Sequence, residues 1–174
     1  MANFTEEGIL YKEEQRYTQW WIWLIILAVN AIIVYGCIMQ VLGGKQFGDN
    51  PMSNVGLIMF MLLFLAFSFF ISRFRLQTNV KSDGVYVRFF PFQYKYKFYA
   101  WEAITKSHVR SYSAFREFGG WGVRYGFFGK GRAFTLKGNR GWQLEFADKS
   151  KLLIGTQRPE DLTSFLVETK HWVE

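Results

Sequence analysis

The chain has 174 residues, half of them apolar and 20% aromatic, which suffices for one ordinary domain and a small addition. Its 21 Lys and Arg outnumber 14 acidic residues, and the excess is lopsided: residues 1–72 hold three basic and five acidic groups, leaving 18 basic and nine acidic for residues 73–174. A single cysteine, Cys37, excludes an internal disulfide, and with only His108 and His171 beside it the usual Cys/His zinc cluster is excluded too.

Residues 1–19 read as a polar, acidic leading segment. Trp20–Leu42 then carries no charge over 23 residues. As a helix it would cover roughly 34 Å, enough for a hydrocarbon layer of about 30 Å. Val55–Ile71 is also uncharged, and its 17 residues sit at the lower limit for a span. Trp20, Trp21 and Trp23 stand at one end of the first run, where an interfacial aromatic belt is expected. Residues 20–72 are therefore predicted to form a two-helix transmembrane hairpin with spans at about 20–42 and 55–71. The leader is too long and acidic for a secretory signal. Lys12, Arg16, Arg73, Arg75 and Lys81 flank the pair while the connecting loop holds only Lys45, so the positive-inside bias puts both termini in the cytoplasm. Asn30 is the one strongly polar residue at mid-depth, suited to bond across to the second helix or to another subunit.

From residue 73 to residue 174 the period changes to two. Leu76, Thr78 and Val80 alternate; Asp83-Gly84 signals a hairpin; Val85, Val87 and Phe89 share a face; Pro91 ends that strand. Further strands are expected within residues 94–101, 103–112, 133–137, 142–148 and 151–155. Leu162, Phe165, Leu166, Thr169, Trp172 and Val173 then recur at helical spacing, giving a closing helix at about 159–173 with Pro159 in its first turn. The fold expected is a membrane α-helical hairpin plus an α+β domain of about seven antiparallel strands, in a curved sheet or barrel, capped by one helix.

The stretches "FYAWEAITKSHVRSY", "GGWGVR", "GNRGWQLEF" and "LLIGTQRPEDL" carry a resemblance. Together with the helical hairpin before them, they resemble the bacterial membrane-anchored PH-like domain proteins, a family of unknown function, over about residues 76–172. That resemblance implies a PH-like fold at the cytoplasmic membrane. Lipid-binding PH domains resemble one another in a Lys on the first hairpin, then a basic-x-Arg followed by two apolar residues. Lys81 and Arg88-Phe89-Phe90 fit, but Tyr86 stands where the first basic residue belongs.

"GGWGVRYGFFGKGRAF", residues 119–134, invites a nucleotide reading, which fails. A phosphate-binding loop needs Gly at position 124 and Ser or Thr after Gly129-Lys130, where the chain has Arg124 and Gly131. A dinucleotide fingerprint needs Gly at 125, where Tyr125 stands. Neighbouring Ser107 and His108 point to opposite faces of a strand and do not form a catalytic pair. No catalytic, cofactor or metal residues are assigned, and no cofactor is expected.

The function expected is non-enzymatic: a membrane-anchored module that mediates protein interaction or assembly at the inner face of the membrane, with a protein partner or its own copies. Its candidate contact surface is Trp121, Arg124, Lys130 and Arg132. The alternative is binding of anionic lipid headgroups through Arg73, Arg75, Lys81, Arg88, Lys95 and Lys97, each basic residue near an anionic surface contributing about 1 kcal/mol. An uncharacterised enzyme comes third, and nucleic acid is not expected, because topology and lipid account for the basic excess.

Overall fold

The structure is a computed structural model and describes residues 7–126 and 129–173. It divides into two compact units: Thr18–Arg73, and a second unit made of the chain up to Tyr17 and from Phe74 onward.

The first unit is a helical pair. α1, Trp20–Cys37, runs on through a π-helical turn at Ile38–Leu42, and α2 is Asn54–Ser72. Both are long and apolar enough to cross a membrane. Each is apolar around its whole circumference, so no polar stripe marks a solvent side. Asn30 Nδ2 donates to Ser68 Oγ across the pair at 2.9 Å and to the Ile26 carbonyl at 2.7 Å. Gln40 closes the other end, donating to the Met52 carbonyl and Asn54 Oδ1 and accepting from the Phe47 amide. Ser53 caps α2 by accepting from the Gly56 amide.

The second unit holds nine strands among the described residues, in two sheets that form no closed barrel. β1 (Ile9–Arg16), β2 (Arg75–Lys81), β3 (Gly84–Phe90) and β4 (Lys97–Ala100) pair in that order, all antiparallel. β5 (Ile104–Ser111), β6 (Gly122–Tyr125), β7 (Arg132–Thr135), β8 (Arg140–Phe146) and β9 (Lys151–Gly155) form the other sheet, ordered β5-β8-β9-β7-β6. In it β7 and β9 run parallel, and the other pairs are antiparallel. α3 (Ala114–Phe118) precedes β6, and α4 (Pro159–Glu168) follows β9.

The core lies between the sheets. Leu76, Val80, Val85, Val87 and Phe89 from one sheet meet Phe134, Trp142, Leu144 and Ile154 from the other, all essentially solvent-free. Alternation along each strand delivers these residues to one face. α4 adds Leu162 and Leu166 to the same core, covering apolar surface that two sheets alone leave open.

Four expectations are corrected. Residues 1–19 are not one separate segment: Ile9–Arg16 is an edge strand of the first sheet, paired to β2 from Ile9–Lys81 to Arg16–Arg75. Residues 1–6 of that segment lie outside the described residues. The strand number is nine rather than seven, because β1 and β6 join. The first hairpin loop is Ser82-Asp83, with Gly84 paired to Lys81. Glycine is required there since a Cβ would collide with the Tyr99 carbonyl oxygen. Finally, α4 ends at Glu168 rather than 173. Lys170 takes a left-handed φ of 59° and turns the chain back, so Val173 pairs with Ser107 on β5.

Candidate functional site

The glycine-rich segment is a scaffold. Gly119 ends α3 in the left-handed conformation at φ 70°, which only glycine adopts without strain. Gly131 has φ 79°, and its Cα lies so close to the Lys151 backbone that no side chain fits. β6 and β7 pair antiparallel next to these turns, from Gly122–Thr135 to Tyr125–Arg132.

The hairpin splits the four candidate contact residues. Trp121 and Arg124 line one cleft of about 410 Å³ with Tyr17, Phe74, Phe89 and Phe92. Arg132 instead lies over the Tyr125 ring, 5.1 Å from its centroid. Lys130 is exposed in the connecting turn. The cleft walls are held in place. Phe74 packs edge-on against Phe89 at 6.0 Å and Phe92 at 5.3 Å. Trp121 donates its Nε1–H to the Gly138 carbonyl at 3.1 Å and stands edge-on to Phe115. Burial pushes the Tyr17 phenol above its ordinary value, and the Arg124 guanidinium pulls it the other way.

Of the six basic residues of the lipid alternative, Arg73 belongs to the helical pair and the other five to the β unit. Arg73 caps α2, with its guanidinium 5.7 Å from the Phe69 ring centroid. Arg75, Lys81 and Arg88 fall on the outward face of β2 and β3, because strand parity sends them opposite to Leu76, Val80 and Val87. Arg75 lies 3.7 Å from Glu14. Arg88 donates to Gln77 Oε1 and the Tyr94 carbonyl and lies over Tyr96. Lys81 is largely covered, its Nζ 5.4 Å from the Tyr86 ring centroid. Lys97 sits on the core-facing side of β4, 5.9 Å from the Phe134 ring centroid, while Lys95 is exposed in the loop before it.

One buried carboxylate escaped the sequence reading. Glu13, 5% exposed, accepts from Tyr11 Oη, Gln15 Nε2, Thr156 Oγ1 and the Gln157 amide at 2.7–2.9 Å. Gln15 also donates to the Gly155 carbonyl. These bonds tie β1 to the junction between β9 and α4. All four donors are spent on the Glu13 carboxylate, so the group reads as a structural clamp.

Ser107 accepts from Trp142 Nε1 at 3.0 Å inside the core, whereas His108 packs against Trp172. Among the described residues no three His, Cys, Asp or Glu side chains gather to hold a metal. No protein-family model matches the chain, and no curated protein matches it either.

Proposed function

We propose that the chain is a non-enzymatic, multi-pass protein of the bacterial cytoplasmic membrane, with both termini and a PH-like domain on the cytoplasmic side, that mediates protein interaction or assembly there. The observation that carries this reading is the open edge of β6. It is the last strand of its sheet, and three of its four residues are exposed. The Gly126 amide bonds to the Gly131 carbonyl, so antiparallel alternation makes Arg124–Ala133 and Gly122–Thr135 the bonded pairs. The amides of Val123 and Tyr125 therefore turn outward, where an extended segment of a partner or of a second copy adds as a further strand. Exposed Tyr125 and half-buried Trp121 flank that edge with aromatic contact area. The PH-like assignment is supported by the quoted sequence stretches and by the single helix closing the two sheets. The two apolar helices and the flanking basic residues support the membrane placement.

The test is affinity capture of the full chain from native membranes in mild detergent, with the sizes of the complexes measured. The expected result is an assembly larger than the monomer that is lost in Val123→Pro. That change removes an outward N–H and spares the ladder, so the melting temperature should fall little. Recovery of monomer alone sinks the reading.

A further inference from the structure

We propose that the cleft lined by Tyr17, Phe74, Phe92 and Trp121 seats an anionic glycerophospholipid, with Arg124 on its phosphate and the rings on its glycerol and first acyl carbons. This goes beyond protein assembly and rests on the membrane placement above.

Four observations converge. The cleft, at about 410 Å³, is of ligand-site size and is lined largely by aromatic rings. Its walls are already fixed: Phe74 sits on Phe89 and Phe92, and Trp121 is held by the Gly138 carbonyl. A ligand entering it loses little affinity to ordering the protein.

Charge complementarity supplies the third. Arg124 is exposed at the cleft, and its Nε–H donates to the Trp121 carbonyl at 3.2 Å. Among the described residues no carboxylate pairs with it. The outer guanidinium N–H groups are left for an anion, and their planar fork suits a phosphate. One cation beside a ring-lined hollow matches an amphiphile with an anionic head.

The fourth is covalent. The chain leaves the β unit at Tyr17 and re-enters at Phe74, while α1 starts at Trp20 and α2 ends at Ser72. Three chain steps reach at most about 10 Å. A bilayer that holds the two helices therefore presents its headgroup layer within a short tether of both cleft-lining residues.

The test uses the full chain in vesicles of phosphatidylcholine and phosphatidylglycerol in equal amounts, with the photoreactive residue p-benzoylphenylalanine at position 92. After irradiation the mass of each adduct identifies what lay in the cleft. The expected adducts are lipid, enriched in phosphatidylglycerol by about fivefold, the effect of one basic residue at an anionic surface. Arg124→Gln should abolish the enrichment while the chain still floats with the vesicles. The same photoreactive residue at exposed Val167 on α4 should show no enrichment. Adducts only to protein, enrichment indifferent to Arg124→Gln, or equal enrichment at position 167 would each overturn the proposal. A chain that fails to float refutes the membrane placement instead, and the lipid seat with it.

Discussion

Arg16 and Arg75 are directly opposed partners in the β1–β2 register, although the whole helical pair, Thr18–Arg73, lies between them in sequence. Like charges facing each other across a ladder repel. Glu14 offsets this, 2.6 Å from Arg16 and 3.7 Å from Arg75. Burial works against the Glu14 carboxylate, but bonds from Gln77 and Arg16 and the charge of Arg75 hold it below its ordinary value. The helical pair is thus the loop of a β-hairpin.

A hairpin loop is replaceable. Tyr17 and Phe74, just beyond the Arg16–Arg75 rung, have ring centroids 5.9 Å apart. Joining Tyr17 to Phe74 through Asn-Gly should give a two-residue turn and a soluble domain that melts cooperatively. A chain beginning at residue 76 lacks β1 and should show poor dispersion in its amide NMR spectrum. If that shorter chain proves as stable as the joined one, β1 contributes nothing to the fold.

Glu13 is what fastens β1 from within. Glu13→Ala would leave Tyr11 Oη, Gln15 Nε2, Thr156 Oγ1 and the Gln157 amide without their shared acceptor. The expected loss is about 2–4 kcal/mol in urea unfolding of the joined domain, from stranded buried donors. A loss under about 0.5 kcal/mol would show that water replaces the carboxylate without strain.

Asn30 and Ser68 form a polar side-chain contact at mid-length between the two long helices. Between membrane helices such a bond contributes about 0.6 kcal/mol, and at most about 2. A double-mutant cycle of Asn30→Ala and Ser68→Ala, read by unfolding in detergent, should return a coupling of that size. Asn30 also donates to the Ile26 carbonyl and Ser68 Oγ to the Phe64 carbonyl at 2.8 Å, so zero coupling would mean that these carbonyls satisfy the two side chains separately.

Much of this was legible because its signal was local. The uncharged runs mark α1 and α2, and Leu76, Val80, Val85 and Val87 alternate as strand residues do. β1 was not legible: its inward positions are Tyr11, Glu13 and Gln15, so hydrophobic alternation fails there, and its partner strand lies beyond the helices. β6 is short, starts on glycine and is mostly exposed, leaving no period to read. The end of α4 was missed because Lys170, not glycine, takes the left-handed turn. At the cleft, Trp121 and Arg124 were legible as an odd pairing in a glycine-rich run. Tyr17 and Phe74 were not, since only the β1–β2 pairing brings them beside it.

Two glycines of the β6–β7 connection separate conformation from contact. Gly129 and Gly131 have φ 75° and 79°, but nothing lies near a Cβ added at Gly129, whereas one at Gly131 meets the Lys151 backbone. Gly129→Ala should cost about 1 kcal/mol, the strain of a left-handed alanine. Gly131→Ala adds displacement of β9 and should cost about 2 kcal/mol more. Equal melting temperatures for the two variants would show that the strand gives way freely.

The C-terminal turn should respond to acid. His171 stacks on Trp101 with ring centroids 3.7 Å apart and planes 2° from parallel, and burial lowers its pKa below the ordinary 6.5. The unfolded chain therefore binds a proton at higher pH than the folded one. The stabilisation from neutral His171 is complete above about pH 6.5, and is lost as the pH falls below that value. Because the ring is partly solvated, the effect should be a shallow decline in melting temperature between about pH 6.5 and 5. His171→Phe keeps the stacking and removes the titration, so its stability should stay level over that range. Stability of the original chain that stays level to pH 5, or a histidine NMR titration midpoint at or above 6.5, would contradict the assignment.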